Sequence, residues 1–333
     1  MTDADCLLLV GFGGPEGPAD VLPFLENVTR GRGIPPERLQ EVASHYLTHF
    51  GGVSPINEQC RQLKAALELA LPELPVYWGN RNWHPFLDQA LEQMASDGRG
   101  HALALVTSAF PSYSGCRQYQ EDIEQALRPG GPRVSKLRHF YNEPGFLDTM
   151  RRNVAAAASD LTAPRLVFTA HSIPTSLAAT SGPDGNAYTD TLGTAAAAVA
   201  EGRPWDLVFQ SRSGPPQVPW LEPDVSDHLR ALRAEGVIEV VLVPIGFISD
   251  HVEVVYDLDV VAAQTAQELG ITMTRATTVG TDPEFVAMLA DLVRERLASD
   301  VELTDHGGIA THDRCPARCC PPPVRPPARS PHD

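Results

Sequence analysis

Five short apolar runs, each halted by a small or turn-forming residue, do most to limit what this chain can fold into. They are Cys6–Val10, Leu103–Thr107, Leu166–Thr169, Leu207–Gln210 and Val240–Pro244. Such runs are apolar on both faces, as parallel strands covered by helices on each side must be. Between them, segments such as Cys60–Leu71 and Val260–Leu269 place apolar residues three and four apart, which predicts helices. The alternation predicts an α/β fold with mostly parallel sheets, whose ligands bind at the carboxyl ends of the strands.

A weak internal repeat divides the chain. Leu9–Pro15 lines up with Phe168–Pro174, Leu105–Ser112 with Leu242–Ser249, and Glu143–Leu147 with Asp282–Val286, at offsets of 159, 137 and 139 residues. The last pair opens two helices, with Pro144 and Pro283 near the first helical position. Three matches in order predict two similar Rossmann-like halves facing a central cleft. The N-terminal half spans 1–150. The C-terminal half, 151–300, carries the reactive residues, and 301–333 form a tail rich in Pro, Arg and Cys.

Charge narrows the partners. The chain carries 42 acidic against 26 basic residues, a net charge of −16. Such a surface repels phosphate backbones and anionic lipid, so nucleic acid is not an expected partner. No apolar stretch reaches the ~18–20 residues that cross a bilayer, and the first residues lack a basic secretion flank, so a cytoplasmic protein without an integral membrane segment is expected.

Four segments could carry chemistry. Gly11-Phe-Gly-Gly-Pro15 reads as a tight strand-to-loop turn, because its spacing is wrong for a phosphate cradle and Pro15 lacks an amide donor; the Phe12 ring faces the space that the strand ends enclose. His171 stands at a strand's carboxyl end among small residues, where an imidazole serves as a base or as a ligand for a borderline metal. On a regular helix, Asp250, Glu253 and Asp257 share one face directly after a buried strand, and Glu253 is the first choice among them. His251 and Glu253 then diverge, unless the helix start is distorted. Gln210–Asp224 is proline-stiffened and reads as a wall of the cleft.

The six cysteines separate by context. Cys6 and Cys60 begin a buried strand and a helix and read as core thiols. Cys315, Cys319 and Cys320 crowd a tail without a core of its own. Zinc or an iron–sulfur cluster suits them, with Cys116 in its loop as the fourth ligand.

Together these segments resemble the ferrochelatases, which insert ferrous iron into a porphyrin. The resemblance runs from Leu7 to about Leu297. It rests on Gly51-Gly-Val-Ser-Pro55, Thr169-Ala-His-Ser-Ile-Pro174, Gln210-Ser-Arg-Ser-Gly with Pro219-Trp-Leu221, and Ser249-Asp-His-Val-Glu253 with Tyr256-Asp-Leu-Asp259. It implies His171 and Glu253 as the catalytic pair on opposite sides of the porphyrin cleft, with Fe²⁺ as the substrate metal they meet. Asp250 and Asp257 would belong to an acidic ridge on a π-bulged helix. Phe12, Arg30, Ser54 and Tyr119 would contact the porphyrin. Phe12 stands where many soluble relatives have tyrosine, so an axial phenolate is absent. Positions held by propionate-binding arginines fall on Thr29 and His45, with Arg30 and Arg32 adjacent to the former.

The resemblance also implies a [2Fe–2S] cluster on Cys116, Cys315, Cys319 and Cys320. The expected activity is Fe²⁺ insertion into coproporphyrin III, giving coproheme on the way to haem b. Protoporphyrin IX is the alternative substrate, and a non-catalytic iron–sulfur or haem-binding sensor on the same scaffold is the second alternative. The expected partners are the porphyrin and an iron donor. In the mechanism the resemblance implies, the cleft bends the macrocycle to expose its nitrogens while His171 and Glu253 handle metal and pyrrole protons.

Overall fold

The computed structural model describes residues 3–31, 33–214, 216–298, 316 and 318–323. Cys315 and Arg32 lie outside the described residues. The N-terminal half runs β1 (Cys6–Gly11), α1 (Val21–Val28), α2 (Pro36–Phe50), α3 (Ile56–Ala70), β2 (Val76–Asn80), α4 (Leu87–Ser96), β3 (His101–Val106), a π-helical turn at Tyr113–Arg117, α5 (Gln118–Ala126), β4 (Arg133–Lys136) and α6 (Pro144–Ala157). The C-terminal half runs β5 (Arg165–His171), α7 (Thr175–Ala179), α8 (Ala187–Ala200), β6 (Trp205–Gln210), α9 (Val225–Ala234), β7 (Glu239–Val243) and α10 (Val252–Val254). A π-helical stretch at Val255–Ala262 then leads into α11 (Ala263–Leu269), β8 (Thr272–Arg275) and α12 (Pro283–Leu297).

Each half holds a four-stranded parallel sheet, ordered β2-β1-β3-β4 and β6-β5-β7-β8. The two orders are the same when the strands of each half are counted from its own first strand, and both halves follow their third strand with a π-helical segment. Strands β1, β3, β5 and β7 lie inside the sheets and are almost wholly buried, which is why their sequences are apolar throughout. Edge strands β4 (Arg-Val-Ser-Lys) and β8 (Thr-Met-Thr-Arg) are short and polar and carry no such signature.

The halves share one hydrophobic body. Leu7 and Leu9 of β1 belong to the same buried cluster as Leu166 and Phe168 of β5. Helices α6 and α12, which open the repeated segments, cross inside it, with the rings of Phe146 and Phe285 6.2 Å apart. A Cβ on Gly145 would stand 2.5 Å from the Met288 Cβ and 2.7 Å from the Glu284 carbonyl oxygen, so only glycine permits this crossing. Arg138 joins the halves a second time, holding Glu143 at 2.5 Å and Glu295 at 3.0 Å in a buried ion triad. Helix α6 runs through residue 150, the boundary expected between the halves.

A smaller cluster sets the site. Val21, Phe24 and Leu25 of α1 and Ala43 and Tyr46 of α2 pack with Val252 of α10. The α1–α2 excursion of the first half thereby lies against the opening turn of the helix that carries Glu253. Among the described residues, no helix is long and apolar enough to cross a membrane.

Candidate active site

His171 is the last residue of β5, at the carboxyl edge of the second sheet. Its Nδ1 lies 2.5 Å from the Ser172 carbonyl oxygen. A carbonyl only accepts, so Nδ1 carries a proton, and in the neutral form of the ring the free lone pair is on Nε2. The backbone carbonyl of His171 accepts a hydrogen bond from the Tyr188 hydroxyl at 2.8 Å.

Nε2 faces Glu253 Oε2 across 3.6 Å. Glu253 is half-exposed in α10, whose N-terminal neighbour His251 is still extended at φ −112°, ψ 176°. The helix therefore begins at Val252, and Asp250 lies before it. This corrects the expectation of one regular helical face carrying Asp250, Glu253 and Asp257. Asp250 instead pairs with Arg275 at 3.0 Å, while its carbonyl accepts from the Gln59 side chain at 2.5 Å. Arg275 also holds Asp259 at 2.6 Å. The His251 imidazole packs edge-on against Phe247, and burial holds its pKa below the usual histidine range.

At 3.6 Å the two side chains stand too close, as placed, for a porphyrin to lie between them. A flat macrocycle between two groups needs van der Waals contact on both faces, about 7 Å in all.

Asp257 lies one turn on, in the π-helical stretch. Its carboxylate accepts from the Ser211 hydroxyl and, at 3.4 Å, from the Gln210 amide. Burial raises its pKa to about 6; the Glu253 charge adds to the rise and the Ser211 bond opposes it. Gln210 also reaches the Glu253 carbonyl at 3.4 Å. The segment read as a cleft wall thus supplies two groups that hold the acidic residues. The signal for them was their position directly after β6.

A second contact across the halves was not anticipated. His45 and His49, one turn apart on α2, both meet the Tyr256 ring, the first stacked at 4.5 Å and the second edge-on at 5.2 Å. Their i, i+4 spacing put both on one helix face. Tyr46, buried between them, has its phenol pKa pushed up by burial and by the Glu253 charge.

The expected porphyrin contacts take different places. Phe12 is half-buried at the end of β1, edge-on to Phe24 at 6.3 Å and with the Arg81 guanidinium 5.9 Å from its ring centre. Tyr119 is buried with the same guanidinium 4.4 Å over its ring, and Arg81 is bonded to Asp122. Ser54 is buried behind the Gly13-Gly14 turn, where its amide bonds the Pro15 carbonyl at 2.8 Å. Arg30 is exposed and bonds the Asn27 side chain. Leu22 and Leu47 are exposed beside an apolar groove of about 380 Å³ between α1 and α2.

Cys6 and Cys60 are core thiols with pKa values pushed up by burial to about 12. Cys116 is buried in the π-helical turn of the first half. The tail returns to it: Arg117 holds the Cys319 carbonyl at 3.0 Å and the Pro316 carbonyl at 3.3 Å. Cys319 and Cys320 are buried with their sulfurs 3.8 Å apart, and the Gly182 amide donates to the Cys320 sulfur at 3.1 Å.

Two similar parallel sheets with a histidine and a carboxylate at the strand ends define a chelatase-type α/β architecture. The same fold is found in CbiX, described as the terminal enzyme for biosynthesis of sirohaem in denitrifying bacteria (TM-score 0.53, 19% identity, 88% of this chain and 100% of that one). It is also found in SirB from Bacillus subtilis with Fe³⁺ (TM-score 0.54, 13% identity, 88% and 95%). The sequence narrows this: residues 4–297 match the ferrochelatase family model, and the chain belongs to that family. The coproporphyrin III ferrochelatase of Streptomyces griseus is 51% identical over 95% of this chain and 93% of its own. That of Frankia alni is 50% identical over 97% and 88%. The ferrochelatase of Rhodopirellula baltica is 50% identical over 95% and 93%.

Proposed function

We propose that this enzyme inserts Fe²⁺ into coproporphyrin III, releasing two protons and coproheme for haem b synthesis. The observation that carries the reading is the His171–Glu253 pair, two bases whose donor atoms stand 3.6 Å apart at the strand ends of a ferrochelatase-family chain. Ligands ~2.1 Å from one divalent ion stand ~3.0–3.4 Å apart, so the pair meets a single Fe²⁺ after a small side-chain adjustment.

Insertion exchanges one charge set for another. The pair holds Fe²⁺ against one face of the macrocycle. As iron passes to the pyrrole nitrogens, His171 Nε2 and the Glu253 carboxylate are freed to take the two displaced protons. The Ser172 carbonyl keeps the imidazole in the tautomer that makes this possible. Asp257, titrating at about 6, takes the proton onward from Glu253 near neutral pH. We place Asp250 outside the transfer, as an anchor for the helix start through Arg275. Phe12 would line the cleft, and Arg30, just after α1, and Arg81, 5.9 Å from the Phe12 ring centre, would be available for substrate carboxylates. Ser54 and Tyr119 would shape the cleft through the Gly13-Gly14 turn and through Arg81.

Replacing His171 or Glu253 with alanine should reduce iron insertion at least a hundredfold while porphyrin still binds with little change. Full activity in both variants overturns the assignment. A second reading, protoporphyrin IX as substrate, is favoured by the apolar groove beside Leu22 and Leu47. Parallel assays with both porphyrins and Fe²⁺ under reducing conditions separate the two.

We further propose a [2Fe–2S] cluster on Cys116, Cys315, Cys319 and Cys320. Thiolates ~2.3 Å from one tetrahedral metal ion stand ~3.8 Å apart, which is the separation of the Cys319 and Cys320 sulfurs. Among the described residues no three side chains close on one metal position; Cys315, the remaining proposed ligand, lies outside them. If bound there, the cluster would supply an iron–sulfur redox centre. We also propose that the halves 1–150 and 151–300 arose by duplication, which their common strand order supports.

A further inference from the structure

The Cys320 seat lies on the loop between α7 and α8, and that loop leads back to His171. The Gly182 amide donates to the Cys320 sulfur at 3.1 Å. Gly182 has φ +76°, and a Cβ there would stand 2.4 Å from the Ala187 Cβ, so the loop is closed tightly on the start of α8. Ser181, fully buried, bonds the Ala178 carbonyl at 2.6 Å and accepts from the Tyr188 amide at 2.8 Å. The Tyr188 hydroxyl in turn donates to the His171 carbonyl at 2.8 Å. Each link is a short hydrogen bond or a covalent step between buried groups, where a displaced partner has no water to replace it.

The geometry points to Tyr188 as a positioning residue for His171, and to the 181–188 loop as the strap through which the C-terminal cysteine segment sets that position. The inference rests on the reading of His171 as a reacting base. His171 ends a strand, so its ring direction follows from the carbonyl–hydroxyl contact at its own peptide and from the Ser172 carbonyl that holds Nδ1. Losing the Tyr188 hydroxyl frees one of these two constraints. Losing the Cys320 sulfur removes the acceptor on which Gly182 rests and loosens the same strap from its far end. Cys320 itself sits at φ +49°, a conformation that a non-glycine residue keeps only when its surroundings hold it.

The test uses the full chain and three variants, Tyr188→Phe, Cys320→Ala and the double. Phenylalanine keeps the ring in the core and removes only the donor. Its kcat should fall about fivefold with the porphyrin KM unchanged, the size of one net hydrogen bond carried into the transition state. Selectively labelled histidine, with the His171 resonance assigned by its loss in His171→Ala, gives a readout independent of turnover. Both single variants should move that resonance, and the double should fall no further in kcat than the worse single variant. Losses that multiply, or a His171 resonance unmoved by Cys320→Ala, overturn the strap. If His171→Ala keeps full activity, the catalytic reading fails, while the resonance arm still decides whether the strap reaches residue 171.

Discussion

Asp257 carries a pH signature that its surroundings impose. Burial and the nearby Glu253 charge raise its pKa from 3.8 to about 6. A carboxyl whose folded pKa is raised favours the folded state only while protonated. Its relative contribution is therefore complete below about pH 4, is lost as pH rises from 4 to 6, and is absent above that. The shift of about two units corresponds to about 3 kcal/mol of destabilisation at neutral pH. Asp257→Asn cannot ionise, and its amide oxygen still accepts from Ser211. The variant should therefore be more stable than the parent at pH 7.5, by up to about 3 kcal/mol, or roughly 4–8 °C in melting temperature for a chain of this size. At pH 4.5 the difference should shrink to about 1 kcal/mol. Thermal melts at pH 4.5, 5.5, 6.5 and 7.5 follow the divergence. An equal difference at every pH would refute the argument, because the substitution would then act through packing and not through charge. Insertion activity should fall in the same variant, since a proton acceptor is gone.

Removing the Ser211 hydroxyl with Ser211→Ala deprives the Asp257 carboxylate of a donor, so the acid limb of the pH–rate profile should move up by about half a unit to one unit. Gly145→Ala forces a Cβ into the α6–α12 crossing, and the loss, net of improved helix propensity, should be about 1–2 kcal/mol in a denaturant melt. Glu295→Ala removes one of the carboxylates that hold the buried Arg138 and should cost about 3 kcal/mol by the same measurement. Protein purified without oxygen should show iron–sulfur absorption that Cys116→Ala abolishes; a colourless parent carrying one zinc ion would contradict the cluster.

How much was legible in the sequence depended on how one-sided each residue's environment is. Strands β1, β3, β5 and β7 are covered on both faces, so their sequences must be apolar throughout and announce themselves. Of the edge strands β2, β4, β6 and β8, which answer to a neighbour on one side only, β6 kept a short apolar run, whereas polar runs such as Arg-Val-Ser-Lys look like loops until they are paired. His171 and Glu253 could be proposed as site residues from the sequence because they stand at or after the ends of buried strands, where such a fold places its ligands. The contacts of Ser211, Gln210 and Tyr188 were not readable, because their partners lie 17 to 47 positions away.

The sequence by itself determined the composition of the buried strands, the repeat that pairs the halves, and which candidate side chains follow the strands. Those properties depend on residue type and local order alone. Only the tertiary structure decided that the helix begins at Val252, that Asp250 turns to Arg275, and that the donor atoms of His171 and Glu253 stand 3.6 Å apart. These are distances between segments far apart in the chain, and a few ångströms there separate a pair that sandwiches a macrocycle from one that meets it side by side. The tail shows the same division. Its cysteines could be counted from the sequence, but their seat on Arg117 and Gly182 depends on surfaces contributed by both halves.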